Sequence, residues 1–278
     1  MIKALVFDID DTLIKYGKKY VEESAIEAIN LAKEKRIIII VATGRGYKFL
    51  HQDVKDRVKA DYYITVNGTC INASDGTTIE CYPLSKETTD KLLEICYERG
   101  YSFGFKFDDS LQVYVDYQYF TSYYCRGAIK KETIDDNSKT RDYHLTHMLP
   151  LGCFIYSPEK EAMKLEEQFD DLQFFQGYLH GCECIRNDIN KGKTLKKLVE
   201  FLGLSLKNCI AFGDADNDKE LLKMCGIGIC MGNGSESLKQ VSDYVTTDIE
   251  DDGIYNALKH YNIIWKLQIN IDILVITS

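Results

Sequence analysis

Residues 4–13 read ALVFDIDDTL, in which a short apolar run over residues 2–7 ends in the carboxylates Asp8, Asp10 and Asp11. An apolar stretch without polar alternation is the signature of a strand covered on both faces, as in a parallel sheet. Side chains at i and i+2 of a strand point the same way, so Asp8 and Asp10 leave this strand side by side. Two adjacent carboxylates repel unless a cation or a shared proton intervenes, which implies a hard, oxygen-liganded metal such as Mg²⁺. The C-terminal end of a parallel strand is also where open α/β sheets place their ligands.

Working outward, residues 22–35 carry helical apolar spacing at Ala25, Ile29 and Ala32, and 37–42 are apolar again, which completes a βαβ unit. Residues 62–66 give a third strand of the same kind. After Pro83 the pattern changes. A helix over 87–99 is followed by 102–107 and 112–115, rich in Tyr and Phe and alternating as half-buried strands do. An apolar run at 151–156, a helix over 158–169 and short strands near Gln173 and Glu183 repeat the arrangement. From Asn190 the parallel rhythm returns, with helices at 190–202, 219–225 and 253–260 and strands at 209–212 and 227–231. The predicted fold is α/β: a Rossmann-like doubly wound parallel sheet formed by 1–82 and 186–262, an α+β insert at 83–185, and a tail at 263–278 that holds the only Trp, Trp265.

The chain has 278 residues, 45% of them hydrophobic, and a net charge of −9, which excludes intrinsic disorder. No basic block occurs, which argues against nucleic-acid and anionic-membrane partners. Ten cysteines without a CxxC pair read as small buried residues, and no apolar run reaches the ~18 residues of a membrane span. The expected location is the cytoplasm.

Three further motifs carry chemistry. AFGDADNDKELL, residues 211–222, places Asp214, Asp216, Asn217 and Asp218 at another strand end. The cluster reads as an Asx-rich turn with Asp218 as helix N-cap, as part of the metal site, or as both. VATGR puts Thr43, Gly44 and Arg45 after the second strand, where a hydroxyl and free backbone N–H groups suit phosphate oxygens. Lys191 in NDINKGKTL opens a helix, where a cation opposes the macrodipole and needs an anion beside it.

In this order the DIDDT, TGR, NKG and GDADND motifs resemble the four motifs of the haloacid dehalogenase superfamily, and the insert resembles the type-two cap of its Cof-like branch. The resemblance covers residues 1 to about 260 and implies a Mg²⁺-dependent phosphatase acting on a small phosphorylated metabolite such as a sugar phosphate. It implies that Asp8 is the nucleophile that becomes an aspartyl-phosphate and Asp10 the general acid and then base. Thr43, Gly44 and Lys191 would hold the phosphoryl group, with Asn217 reaching toward it. Asp8, the backbone carbonyl of Asp10 and Asp214 would bind Mg²⁺, with Asp218 supporting them. Lys193 competes with Lys191, but the family's lysine directly precedes Gly. Two departures occur: Asp11 where this branch often has Gly, and Gly234 in MGNGSE where it usually has Ala, read as a change at the start of a helix. The aromatics Tyr114, Tyr117, Tyr119, Tyr123 and Tyr124 read as sheet packing, and Arg126, His144 and His147 receive no role. Competing readings are a hexose-phosphate mutase and a phosphorylatable receiver module; the paired aspartates on the first strand and the long insert disfavour the latter.

Overall fold

The structure is a computed structural model that describes residues 1–125, 129–176 and 181–265. The chain begins as the sequence predicts, with β1 (Ala4–Phe7), α1 (Glu23–Glu34), β2 (Ile38–Ala42) and β3 (Tyr62–Thr65). Two short strands that the sequence reading missed follow, β4 (Cys70–Ala73) and β5 (Thr78–Cys81). The insert contributes α2 (Lys86–Glu98), β6 (Ser102–Lys106), β7 (Leu111–Val115), α3 (Tyr117–Tyr124), β8 (Asp135–Asp136), α4 (Tyr143–Thr146), β9 (Gly152–Tyr156), β10 (Leu172–Gln176) and β11 (Gly181–Arg186). The chain ends with α5 (Lys191–Phe201), β12 (Cys209–Gly213), α6 (Lys219–Met224), β13 (Ile227–Cys230), α7 (Glu236–Lys239), β14 (Tyr244–Val245) and α8 (Gly253–His260).

Two sheets result. The first has the order β14-β13-β12-β1-β2-β3-β4-β5, parallel from β14 through β3 and antiparallel beyond it. The chain leaves β1 toward β2 and β3 and later returns to its other side through β12, so β1 and β12 flank the point where strand order reverses. Ligand crevices open there in doubly wound sheets. One sheet face packs Leu5, Phe7, Ile39 and Val41 against Ile29 of α1 and Leu258 of α8. The other packs Val6, Ile40 and Ala211 against Leu195 and Leu198 of α5 and Leu222 of α6. Both faces are therefore covered, which is why β1 carries no polar alternation.

The second sheet has the order β10-β11-β9-β6-β7-β8. Its outer face packs Phe103, Phe105 and Ile155 against Leu92 and Cys96 of α2. Its inner face, which turns toward the first sheet, packs Val113, Phe154 and Tyr156 against Phe120 of α3. The strands expected to be half-buried are thus covered on both faces, and all five residues of β6 are buried. Local alternation could not show the cover that α3 and the first sheet provide. The helix expected over 158–169 forms instead as 3₁₀ turns over Pro158–Gln168, with Glu159 at a φ of +44° in its first turn.

Two crossings join the sheets, one after β5 and one after β11. They are tied together: Arg186 donates to the Pro83 carbonyl oxygen at 3.1 Å and grips Asp188 at 2.8 and 2.6 Å. Asn190 then caps α5, its Oδ1 accepting from the Lys193 N–H at 2.8 Å. Gly68 backs against this cap with φ +107°, and a Cβ there would lie 2.5 Å from the Asn190 carbonyl carbon. Of the tail, Ile264 joins the core and Lys35 lies over the Trp265 ring; residues 266–278 lie outside the described residues, as does Arg126.

Candidate active site

Asp8 follows β1 directly, at the crevice, and is 6% exposed. Lys191, the first residue of α5, is 1% exposed and donates to Asp8 Oδ1 at 2.6 Å and to Asp218 Oδ1 at 2.8 Å. Burial opposes its charge, but the two carboxylates outweigh that cost and raise its pKa. Lys193, by contrast, is exposed and takes part in the helix cap through its backbone. Burial pushes the Asp8 carboxyl well above the usual range, Lys191 opposes the shift, and the carboxylates of Asp218, Asp214 and Asp10 add to it.

Asp218 is fully buried and does not cap α6 with its side chain. Its Oδ2 turns back to accept from the N–H groups of Asp214 and Ala215 at 3.2 and 3.3 Å. One residue thus shapes the 214–218 turn and anchors Lys191. Gly213 makes room for it, since a Cβ there would meet the Asp218 carboxyl at 2.6 Å. Asp214 accepts from the Thr12 hydroxyl at 3.0 Å, and burial together with the Asp218 charge raises its pKa to about 7. Carboxylate oxygens of Asp8, Asp214 and Asp218 lie within 4.8 Å of one another. Three carboxylates facing a single lysine leave net negative charge, and hard oxygen donors of this kind fit Mg²⁺. Asp218 is the least available of the three, because both its oxygens already accept hydrogen bonds.

The Asp10 side chain lies outside this cluster. Arg45 clamps it in a two-point ion pair, Nε to Oδ2 at 2.8 Å and Nη2 to Oδ1 at 2.7 Å. Burial favours the neutral acid, but Arg45, with lesser help from His51 and Lys191, holds the Asp10 carboxyl below its ordinary value. Asp11 has φ +59°, which explains why glycine suits this position, and its carboxylate accepts from the Tyr16 N–H at 2.8 Å. The Asp11 carbonyl is held by Asn233 Nδ2 at 2.8 Å, which ties the MGN segment to the same loop. At Gly234 a Cβ would meet Cys230 Sγ at 2.6 Å and the Met231 carbonyl oxygen at 2.9 Å, so this turn leaves no room for alanine.

Asp8, Asp10, Gly44, Asp214 and Asn217 line one cavity of about 750 Å³. Thr43, Lys191 and Asp218 are buried behind its wall, the Thr43 hydroxyl accepting from the Arg45 N–H at 3.2 Å. Residues without a role in the sequence reading also converge here. Asn67, at φ +54° after Val66 at φ +49°, accepts from Asn217 Nδ2 and donates to Glu183 Oε2 of the insert, both at 3.1 Å. A valine at positive φ is strained and persists only where its surroundings hold it. Glu183 pairs with Lys106, whose Nζ lies 3.5 Å from the Gly44 carbonyl oxygen. The Val-Asn-Gly turn after β3 was the one available signal for Asn67. Nothing in the sequence marks Lys106 or Glu183, because only the packing of the sheets aims them at the crevice.

The tyrosines divide. Tyr114 is buried and hydrogen-bonds to His144 Nδ1 at 3.0 Å as packing, whereas Tyr123 and Tyr124 line the cavity, contrary to the expectation of sheet packing alone. His147 pairs with Asp108 at 3.1 Å, away from the crevice.

A family model described as haloacid dehalogenase-like hydrolase matches residues 5–258. An HMP-PP phosphatase of Yersinia enterocolitica is 27% identical, over 94% of this chain and 96% of that one. A 5-amino-6-(5-phospho-D-ribitylamino)uracil phosphatase of Bacillus subtilis is 24% identical over 92% and 96%. Against a longer Streptococcus pyogenes relative, 25% identical over 95% of this chain, the chain spans 55% of the length. Among solved structures, a sugar phosphatase of HAD subclass IIB superposes with a TM-score of 0.83 at 26% identity, over 94% of this chain and 100% of that one. No helix among the described residues is long and apolar enough to cross a membrane.

Proposed function

Because the chain belongs to the haloacid dehalogenase-like hydrolases, we propose that it is a Mg²⁺-dependent phosphatase of a small phosphorylated metabolite, with residues 83–185 as the cap over a core formed by 1–82 and 186–262. The observation that carries this reading is the buried Asp8–Lys191–Asp218 chain at the strand crossover, with Asp214 beside it and Asp10 at the same cavity. The relatives' names support the substrate class, since each joins phosphatase to a small phosphorylated molecule.

In this reading Lys191 fixes one oxygen of Asp8 and leaves the other to attack phosphorus. The ester P–O bond breaks, an aspartyl-phosphate forms, and Asp10 gives its proton to the departing alkoxide. Water then attacks the phosphorus, Asp10 takes its proton, and the Asp8 carboxylate is regenerated with release of phosphate. Asp8, Asp214 and the carbonyl of Asp10 would hold Mg²⁺, which when bound neutralises charge on the transferring group. Lys191, the Thr43 hydroxyl, the Gly44 backbone and Asn217 would position the phosphoryl oxygens. Asp10 has to leave Arg45 and gain a proton to act as acid, and a phosphate dianion competing for the guanidinium provides the means.

The test is turnover of phosphomonoesters with Mg²⁺ by wild type and Asp8→Asn. The variant keeps the shape of the side chain but cannot form the intermediate, so kcat should fall by at least ~10³. Retained turnover in the variant would move the nucleophile elsewhere.

A further inference from the structure

We propose that Cys70 and Cys81 form a reversible, peroxide-responsive disulfide that fastens the edge strand of the first sheet where the chain leaves for the insert. The two residues stand directly opposite each other in the antiparallel β4–β5 pair, and their Sγ atoms are in contact at 2.8 Å. The register favours a bond at this position. The Tyr82 N–H donates to the Thr69 carbonyl oxygen at 2.8 Å, so the neighbouring pair, Thr69 and Tyr82, is the hydrogen-bonded one. In an antiparallel ladder the next pair along is then non-hydrogen-bonded, with Cα atoms about 4.5 Å apart. That spacing lies within the ~4.4–6.8 Å a disulfide spans, so the bond closes with little movement of either strand.

Exposure singles out this pair. Among the described residues β5 is the edge strand of its sheet: Thr78, Ile79 and Glu80 are exposed and Cys81 is half-buried. A dissolved oxidant therefore reaches Cys81, and Cys70 lies buried against it. Cys153 and Cys184 also face each other at 2.8 Å, between β9 and β11, but both are buried in the middle of the second sheet. That pair has the contact without the access. Hydrogen peroxide takes two electrons from the Cys81 thiolate, which becomes a sulfenic acid as the O–O bond breaks and hydroxide leaves. The Cys70 thiol then attacks the Cys81 sulfur; the S–S bond forms, the S–O bond breaks, and the oxygen departs with the Cys70 proton as water. A small thiol reverses the reaction by exchange. The bond falls at a junction. Cys81 lies two residues ahead of Pro83, whose carbonyl oxygen accepts from Arg186, and Cys70 packs with Leu151 and Ile185 of the insert. Joining the two sulfurs closes the β4–β5 ladder at the start of the first crossing and stiffens it.

The experiment uses the full chain and needs no turnover, so its outcome is independent of the phosphatase reading. Folded protein is treated with hydrogen peroxide, quenched in acid, alkylated under denaturing conditions and mapped by mass spectrometry. The peptides holding Cys70 and Cys81 should appear joined, short of two hydrogens and released by dithiothreitol, while Cys153 and Cys184 should remain free and alkylated. Hydrogen exchange then reads the junction: the Tyr82 amide should exchange at least ~10-fold more slowly in the oxidised protein than in the reduced one. The unfolding midpoint should rise by roughly 5 °C on oxidation. Cys81→Ser, a change at the half-buried member of the pair, should fold as wild type does and show neither response to peroxide. Free Cys70 and Cys81 thiols after treatment, Cys81 carried on to a sulfinic acid with Cys70 still free, or a disulfide at Cys153 and Cys184 in place of this one overturns the proposal. So does a Cys70–Cys81 bond that leaves Tyr82 exchange and the midpoint where the reduced protein has them.

Discussion

Replacing Asp214 by Asn should make the metal-free protein more stable at neutral pH while abolishing its response to Mg²⁺. In the folded chain burial and Asp218 raise the Asp214 carboxyl to about 7, against an unfolded value near ~3.9. A carboxyl whose folded pKa lies above its unfolded pKa opposes folding wherever the unfolded chain is ionised. The cost is absent below about pH 4, grows as pH rises toward 7, and is constant above that. Three units at about 1.4 kcal/mol each set a ceiling of ~4 kcal/mol. Asp214 keeps some contact with solvent, and screening reduces the figure to about 1–2 kcal/mol. An amide oxygen still accepts from the Thr12 hydroxyl, so that hydrogen bond survives the substitution. The assay is denaturant unfolding in EDTA at pH 4 and pH 8, repeated with saturating Mg²⁺. Wild type and variant should coincide at pH 4, and the variant should be the more stable at pH 8. Mg²⁺ at 100 times its dissociation constant should then stabilise wild type by about 2.7 kcal/mol and the variant by far less. A variant no more stable than wild type at pH 8 in EDTA, or one that gains as much from Mg²⁺, would refute this account of the carboxylate cluster.

Lys191→Met should cost about 3–5 kcal/mol, because Asp8 and Asp218 are left buried without their cation, and should abolish turnover; full stability at pH 8 would show that another group neutralises them. Asp10→Asn should slow alkyl phosphates by about 10²–10⁴ while affecting acetyl phosphate, whose leaving group needs no proton, far less. Equal losses on both would remove the acid role. Gly68→Ala should lower the unfolding free energy by more than ~1 kcal/mol, since φ is +107° and the new Cβ would strike the backbone at Asn190. A crystal structure of that variant with α5 unmoved would show that the collision is relieved elsewhere.

The parallel core was legible because its physics is local. Continuous apolar runs, helical spacing and carboxylates at strand ends all sit within a few residues of one another, and β1, α1, β2 and α8 follow within a residue or two of the predicted bounds. Asp8, Asp214 and Lys191 meet because the topology brings separate strand ends to one edge, as the motif order anticipated. What stayed hidden depends on which element covers which. The burial of β6 on both faces follows from α3 and the first sheet. Lys106 and Glu183 acquire their direction only when the second sheet faces the first, and Tyr123 and Tyr124 reach the cavity because α3 ends there. Asp218 looked like a helix cap because Asp is common at such positions; its carboxylate instead turns to two backbone N–H groups and the buried lysine.

The return crossing after β11 ends one peptide bond before Lys191, and Asn190 is locked in place by its own cap and by the backbone of Gly68. Asn187 and Ile189 still bond to the second sheet's side, through the carbonyls of Asp170 and Asp171 and through Gln173, so under the proposed cap reading a movement of that sheet would have to be absorbed between Ile189 and Asn190 for the lysine to stay in place. For protein engineering this defines a splice point. A foreign lid rejoined at residue 189 or earlier would leave the helix start, its cap and the cation intact. A graft rejoined two residues later would remove Asn190 and cast the lysine loose, and its failure would say nothing about whether the new lid fits.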